Sequence, residues 1–105
     1  LLSGDDPLMS TLHVLSLSPF TDSRLGSCLR LCGAQDSILL CGDAIYALQP
    51  GSAPFQALQA KALAIFVLAE DAQARGLALP QWARSVDYPG FVQLSIDHDK
   101  VNTWL

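Results

Sequence analysis

The chain has 105 residues, half of them hydrophobic and only 15% charged, with a net charge of −4 at pH 7 and a mean hydropathy of +0.32. Six Lys and Arg against ten Asp and Glu leave no basic stripe for neutralising phosphates, which argues against direct nucleic-acid binding. The longest uninterrupted apolar run, Ala62 to Ala69, is far short of the roughly 20 residues a membrane-spanning helix needs, so a soluble protein is expected.

This length holds one domain. A typical soluble domain carries about 25% charged residues, and so apolar a chain is expected to rely on partner subunits to cover part of its surface. No basic start followed by an apolar core and a cleavage site marks a secretory signal, so a cytoplasmic location is expected. Met9 reads as the natural start, with residues 1–8 an upstream extension and 9–105 a single domain.

The first element, from Leu12 to Ser18, alternates loosely and stops at Pro19, as a strand does. Thr21 or Asp22 then offers a helix N-cap, and Leu25, Cys28, Leu29 and Cys32 recur at i, i+3, i+4 and i+7, an amphipathic helix ending near Gly33. Ser37 to Cys41 is a short apolar run expected of a strand covered on both faces, closed by Gly42-Asp43. Ala44 to Ala53 is turn-rich, and Pro54 to Ala60 is a short helix opened by proline.

Leu63 to Leu68 is the strongest strand. Glu70-Asp71 open a helix that stops at Gly76, and Ser85 to Asp87 form a brief strand. In the last segment Val92, Leu94 and Ile96 alternate like a strand, whereas Phe91, Leu94, His98 and Val101 keep helical spacing; helix is the favoured reading. Alternating strands and helices predict a parallel sheet between helical layers.

Chemistry concentrates on three cysteines, an odd set that suits reduced thiols better than a disulfide framework. Cys32 falls at the centre of the apolar stripe, where packing is its simplest role, and Cys28 falls near a flank. One turn apart in a regular helix, the two are poorly directed for a disulfide. Cys41 ends a buried strand, and ligands in open parallel sheets gather at such carboxyl ends. His13 in the first strand reads as a core hydrogen-bonding group and Glu70-Asp71 as helix-start charges. No metal site, phosphate loop, dinucleotide fingerprint or other cofactor motif is found, so no cofactor is expected. Trp104 is expected to dock on the domain or a partner.

Several stretches together resemble the TusB/DsrH family of small bacterial sulfur-relay proteins, over nearly all of the chain from Met9 to Leu105. They are Leu12-His13, Ser18-Pro19-Phe20, Leu39-Leu40 leading to Asp43 and Tyr46, and Glu70-Asp71 with Ala74-Arg75-Gly76-Leu77. The ending is the most telling: Asp87-Tyr88, Phe91-Val92, Leu94, His98 and Trp104-Leu105 follow the family's order and spacing. One departure is Asp43-Ala44, where the family commonly has Asp-Gly.

The resemblance implies a three-layer α/β/α fold with a mostly parallel central sheet, DsrE/F/H-like with flavodoxin-like topology. It implies a non-catalytic subunit that assembles with TusC- and TusD-like homologous partners into a heterohexamer, receiving sulfur from TusA-like and passing it to TusE-like carriers, toward 2-thiolation of the tRNA wobble uridine. In such complexes the persulfide-bearing cysteine usually belongs to the TusD/DsrE-type subunit. Cys28, in its Ser-Cys-Leu context, nevertheless stands where DsrH-like members carry a cysteine, and is the candidate persulfide carrier. The alternatives are an active sulfurtransferase using Cys28, or a DsrH-like subunit in sulfur oxidation.

Overall fold

Strands and helices alternate through residues 10–104, the part of the chain that the computed structural model describes. The expected start at Met9 and the extension before it lie outside the described residues. In order come β1 (Thr11–Leu15), α1 (Arg24–Leu31), β2 (Ser37–Leu40), a 3₁₀ helix (Gly42–Leu48), α2 (Ala53–Ala60), β3 (Ala64–Leu68), α3 (Ala69–Arg75), β4 (Ala83–Val86), α4 (Tyr88–Asp97) and β5 (Lys100–Trp104).

All five strands pair in parallel, in the order β4-β3-β2-β1-β5. The chain steps outward from β1 to β4, then returns through α4 to lay β5 on the free side of β1. The two-residue period of the strands divides the core. On one face Leu15, Ile38, Leu40, Ile65 and Val67 pack with Leu25, Cys28 and Leu29 of α1, Ile45 and Leu48 of the 3₁₀ helix, Leu58 of α2 and Ala72 of α3. Leu12, Val14 and Leu39 look the other way, onto Phe91 and Leu94 of α4. The expected three-layer α/β/α architecture is therefore present, but unevenly filled: among the described residues the second face has α4 alone.

Local chemistry sets the helix ends. The Ser52 hydroxyl accepts the Phe55 N–H at 3.3 Å and Asp87 accepts the Gly90 N–H at 2.8 Å, with Pro54 and Pro89 in the first turns of α2 and α4. Gly76 closes α3 in the left-handed conformation, φ 64°. The N-cap position of α1 is Ser23 rather than the expected Thr21 or Asp22; the Asp22 carboxylate instead accepts the Arg24 N–H at 2.8 Å. The turn-rich stretch after β2 is a 3₁₀ helix.

The largest departure is at the C-terminus, where the favoured single helix divides into α4 and β5. The His98 N–H still bonds Leu94 O at 3.2 Å, but its own ψ of 150° is extended. Its ring then fixes the break: Nδ1 donates to Leu94 O at 2.7 Å and Nε2 accepts from the Ser37 hydroxyl at 2.9 Å. Asp99 accepts the Ser10 N–H at 2.8 Å, starting β5 beside β1. The strand-like alternation of Val92, Leu94 and Ile96 falls inside α4; of the helical set, Phe91 and Leu94 pack from that helix, His98 caps it and Val101 belongs to the strand.

The departure at Asp43-Ala44 has a simple form. Gly42, one residue earlier, takes the positive φ of 52°, and no residue other than glycine has a positive φ among the described residues. A Cβ on Gly42 would stand 3.1 Å from Ser16 O. Gly42→Ala should therefore lower stability by about 1–2 kcal/mol, seen as a lower denaturant midpoint with an unchanged slope.

Candidate functional site

β1 carries His13 onto the same face as Leu15, beneath α1, where it is 5% exposed. A buried imidazole must satisfy both nitrogens, and two elements supply the partners. The loop before β2 brings Asp36, whose Oδ2 lies 3.0 Å from His13 Nε2. β5, in register with β1 through Leu15 and Trp104, brings the Trp104 indole N–H to His13 Nδ1 at 3.1 Å. An indole N–H can only donate, so Nδ1 holds a lone pair and the ring proton sits on Nε2, where it is donated to Asp36. Trp104 thus docks on its own domain, and it selects the tautomer of His13.

Asp36 also accepts the Thr11 N–H at 3.1 Å and the Gly33 N–H at 3.0 Å. Burial alone pushes its carboxyl up, but the donors from Gly33, His13 and Thr11 outweigh this and hold it below its ordinary value.

Above His13 lie two sulfurs. Cys28 is fully buried in α1, and Cys32 is half-buried at the helix C-cap, with their Sγ atoms 3.8 Å apart. A shared proton separates their acidities. Donation from Cys28 brings Cys32 down to about 5, with burial opposing and His13 assisting. Cys28 moves the opposite way, raised first by that same hydrogen bond and then by burial. These directions suit Cys28 as the S–H donor and Cys32 as the more acidic of the two sulfurs. His13 is drawn toward protonation by Cys32 and then Asp36 against the effect of burial, while the Trp104 N–H demands an unprotonated Nδ1.

The donor atoms of His13, Cys28 and Cys32 lie within 4.8 Å of one another, close enough for one soft cation to touch. Both imidazole nitrogens already have partners, however, and metal binding would cost one of them. What the cluster offers as it stands is the more acidic Cys32 sulfur, with the Cys28 sulfur 3.8 Å behind it and the His13 ring beside it.

The sequence placed Cys32 at the centre of the apolar stripe and Cys28 near its flank; the structure reverses them. The buried stripe is Leu25, Cys28 and Leu29, and α1 ends at Leu31, so Cys32 sits just past the last helical residue. Cys41, at the carboxyl end of β2, donates to Leu15 O at 3.5 Å, and burial with the Asp71 charge pushes its thiol up. Asp71 itself accepts the Gly42 N–H at 2.7 Å and so holds the turn after β2. Asp36 gave no signal in the sequence, since a lone Asp before a strand reads as a turn. The histidine in an otherwise apolar strand was the signal that a polar partner had to exist.

The DsrH-like protein family model matches residues 17–101. The chain belongs to the DsrH-like family. This DsrH-like chain is 39% identical over 95 residues to Protein TusB of Erwinia tasmaniensis, covering 89% of this chain and 99% of that protein. Proteins TusB of Klebsiella pneumoniae strain 342 and of Pectobacterium parmentieri are each 33% identical over the same length and shares. Among solved structures, the crystal structure of the ychN protein from E. coli superposes with a TM-score of 0.77, covering 92% of this chain and all of that one. At 19% identity that likeness establishes the shared fold of this DsrH-like chain.

Proposed function

We propose that this chain is the TusB/DsrH-type subunit of a sulfur-relay complex, contributing structure and regulation toward 2-thiolation of the tRNA wobble uridine. Its partners would be TusC- and TusD-like homologous subunits in a cytoplasmic heterohexamer, with TusA- and TusE-like carriers on either side. The observation that carries the reading is α4. Phe91 and Leu94 face the sheet, yet Tyr88, Val92 and Ile96 form a second apolar stripe at i, i+4 and i+8, at 58%, 46% and 69% exposure. A helix apolar on both sides is a buried helix, and among the described residues no element covers the outer stripe. A chain with so few charges and such a helix suits a subunit of an assembly.

Co-expression with TusC- and TusD-like neighbours should give a complex containing two copies of each chain by native mass measurement. Ile96→Asp should leave the subunit folded and weaken assembly by at least about tenfold, because it desolvates a charge within an apolar contact. Separate chains at micromolar concentration would defeat the reading. Persulfide on Cys28 is the alternative; its support is the sulfur contact at 3.8 Å, and its complete burial weighs against it.

A further inference from the structure

We propose that Cys32 and Cys28 form a dithiol that discharges sulfane sulfur as sulfide, with Cys32 the nucleophile and Cys28 the resolving thiol. The donor is a persulfide or polysulfide; the proposal rests on the sulfur-relay reading only for the source of that donor.

The geometry supports each role. Cys32 is the half-buried member, and Gly33, Ala34 and Gln35 after it are exposed, so a small sulfur donor can reach it from the solvent side. Cys28 is fully buried, its sulfur 3.8 Å from that of Cys32. The disulfide that a regular helix resists becomes feasible at this position. The Cys32 N–H bonds Cys28 O at 3.1 Å, which keeps a helical i to i+4 spacing of about 6.2 Å between Cα atoms, inside the range disulfides span. Cys32 has ψ 132°, so its carbonyl has left the helix and the residue is held from one side only. The following Gly33 has open space around it, with nothing within 4 Å of where a Cβ would be. The sulfurs must close from 3.8 Å to about 2.05 Å, a movement that this free side allows.

The chemistry balances in two displacements. The Cys32 thiolate attacks the outer sulfur of R–S–SH, forming Cys32–S–SH and releasing RS⁻. Cys28 then attacks the inner sulfur of that persulfide. A Cys28–Cys32 disulfide forms, the S–SH bond breaks, and the leaving HS⁻ takes the Cys28 proton as H₂S. Two thiols are oxidised by two electrons and one sulfane sulfur is reduced to sulfide, with no outside oxidant. A dithiol reductant resets the pair.

The test uses the full chain, reduced, with inorganic polysulfide as the probe. Sulfide release is followed together with mass spectrometry of the tryptic peptides. Trypsin cuts after Arg30, so a Cys28–Cys32 bond must join the peptide of residues 25–30 to that of residues 31–61, and fragment ions of the joined pair place the bond on Cys32 or on Cys41, which the second peptide also holds. The wild-type chain should release sulfide in proportion to that cross-link. Cys28→Ala should release none and retain one added sulfur on Cys32, and Cys32→Ser should neither release sulfide nor retain sulfur on Cys28. Cys28→Ser is a second version of the resolving-thiol variant should Cys28→Ala fail to fold. Added sulfur on Cys28 in Cys32→Ser, sulfide release that survives in the Cys28 variants, or a cross-link through Cys41 would overturn the proposal. These readouts need no partner chain, so they fail or succeed separately from the co-expression result.

Discussion

His13→Ala should lower the unfolding free energy by about 3–4 kcal/mol, read from the denaturant midpoint at constant slope. The imidazole is 5% exposed and lies where β1, α1, β5 and the loop before β2 converge, so its removal leaves a void that no single neighbour can fill. It also strands polar groups. The Trp104 N–H loses its acceptor, while Asp36 keeps the Gly33 and Thr11 donors and loses only the ring. An unmet buried donor costs about 1–3 kcal/mol, comparable with the void itself.

Trp104→Phe separates these contributions. It keeps an aromatic body and removes only the N–H that holds Nδ1 unprotonated, so it should cost about 1 kcal/mol at neutral pH. The sign of its pH dependence follows from His13, whose pKa is raised above 6.5, first by Cys32 and, against burial, by Asp36. A raised pKa adds stability that is complete below the unfolded value and fades as pH rises through the folded one. The Trp104 N–H opposes protonation at Nδ1, so freeing Nδ1 in Trp104→Phe should enlarge that contribution and narrow the gap to wild type as the solution is acidified below pH 6.5.

Much of this fold was legible because burial writes itself as periodicity. The run Ile38-Leu39-Leu40 could only be a strand covered on both faces, and Gly76 could only end a helix cheaply. The C-terminus was illegible for the opposite reason: Leu94 satisfies both periods, and what breaks the helix after Asp97 is tertiary, the His98 ring reaching Ser37 sixty-one positions away. The site hid similarly. Helix phase located both cysteines but not the end of α1, and one residue at that end decides which sulfur meets solvent. Nothing local to Asp36 or Trp104 announces His13, since only the pairing of β1 with β5 and β2 brings them together.

The sharpest consequence is at Cys32. Its alkylation by iodoacetamide should follow a single titration with a midpoint near 5, against an ordinary thiol at 9.0. At pH 6 that difference makes the thiolate roughly a thousandfold more populated than in a free thiol, but a more acidic thiolate is also less nucleophilic, with a Brønsted slope of about 0.4–0.5. The two effects leave a net advantage of about tenfold at pH 6, which reverses above about pH 7–7.5, once a few per cent of the free thiol is ionised and its greater intrinsic nucleophilicity outweighs the difference in population. Cys28 and Cys41, both pushed up, should remain nearly unlabelled at pH 6. Cys28→Ala removes the S–H that contributes most to the low value and should carry the midpoint upward toward 9.0. The same depressed pKa adds stability that is complete above the unfolded value and is lost as pH falls through about 5, so acid should destabilise the wild type more steeply than Cys28→Ala. A midpoint for Cys32 above about 7.5, or one unmoved by Cys28→Ala, would show that the two sulfurs do not share a proton.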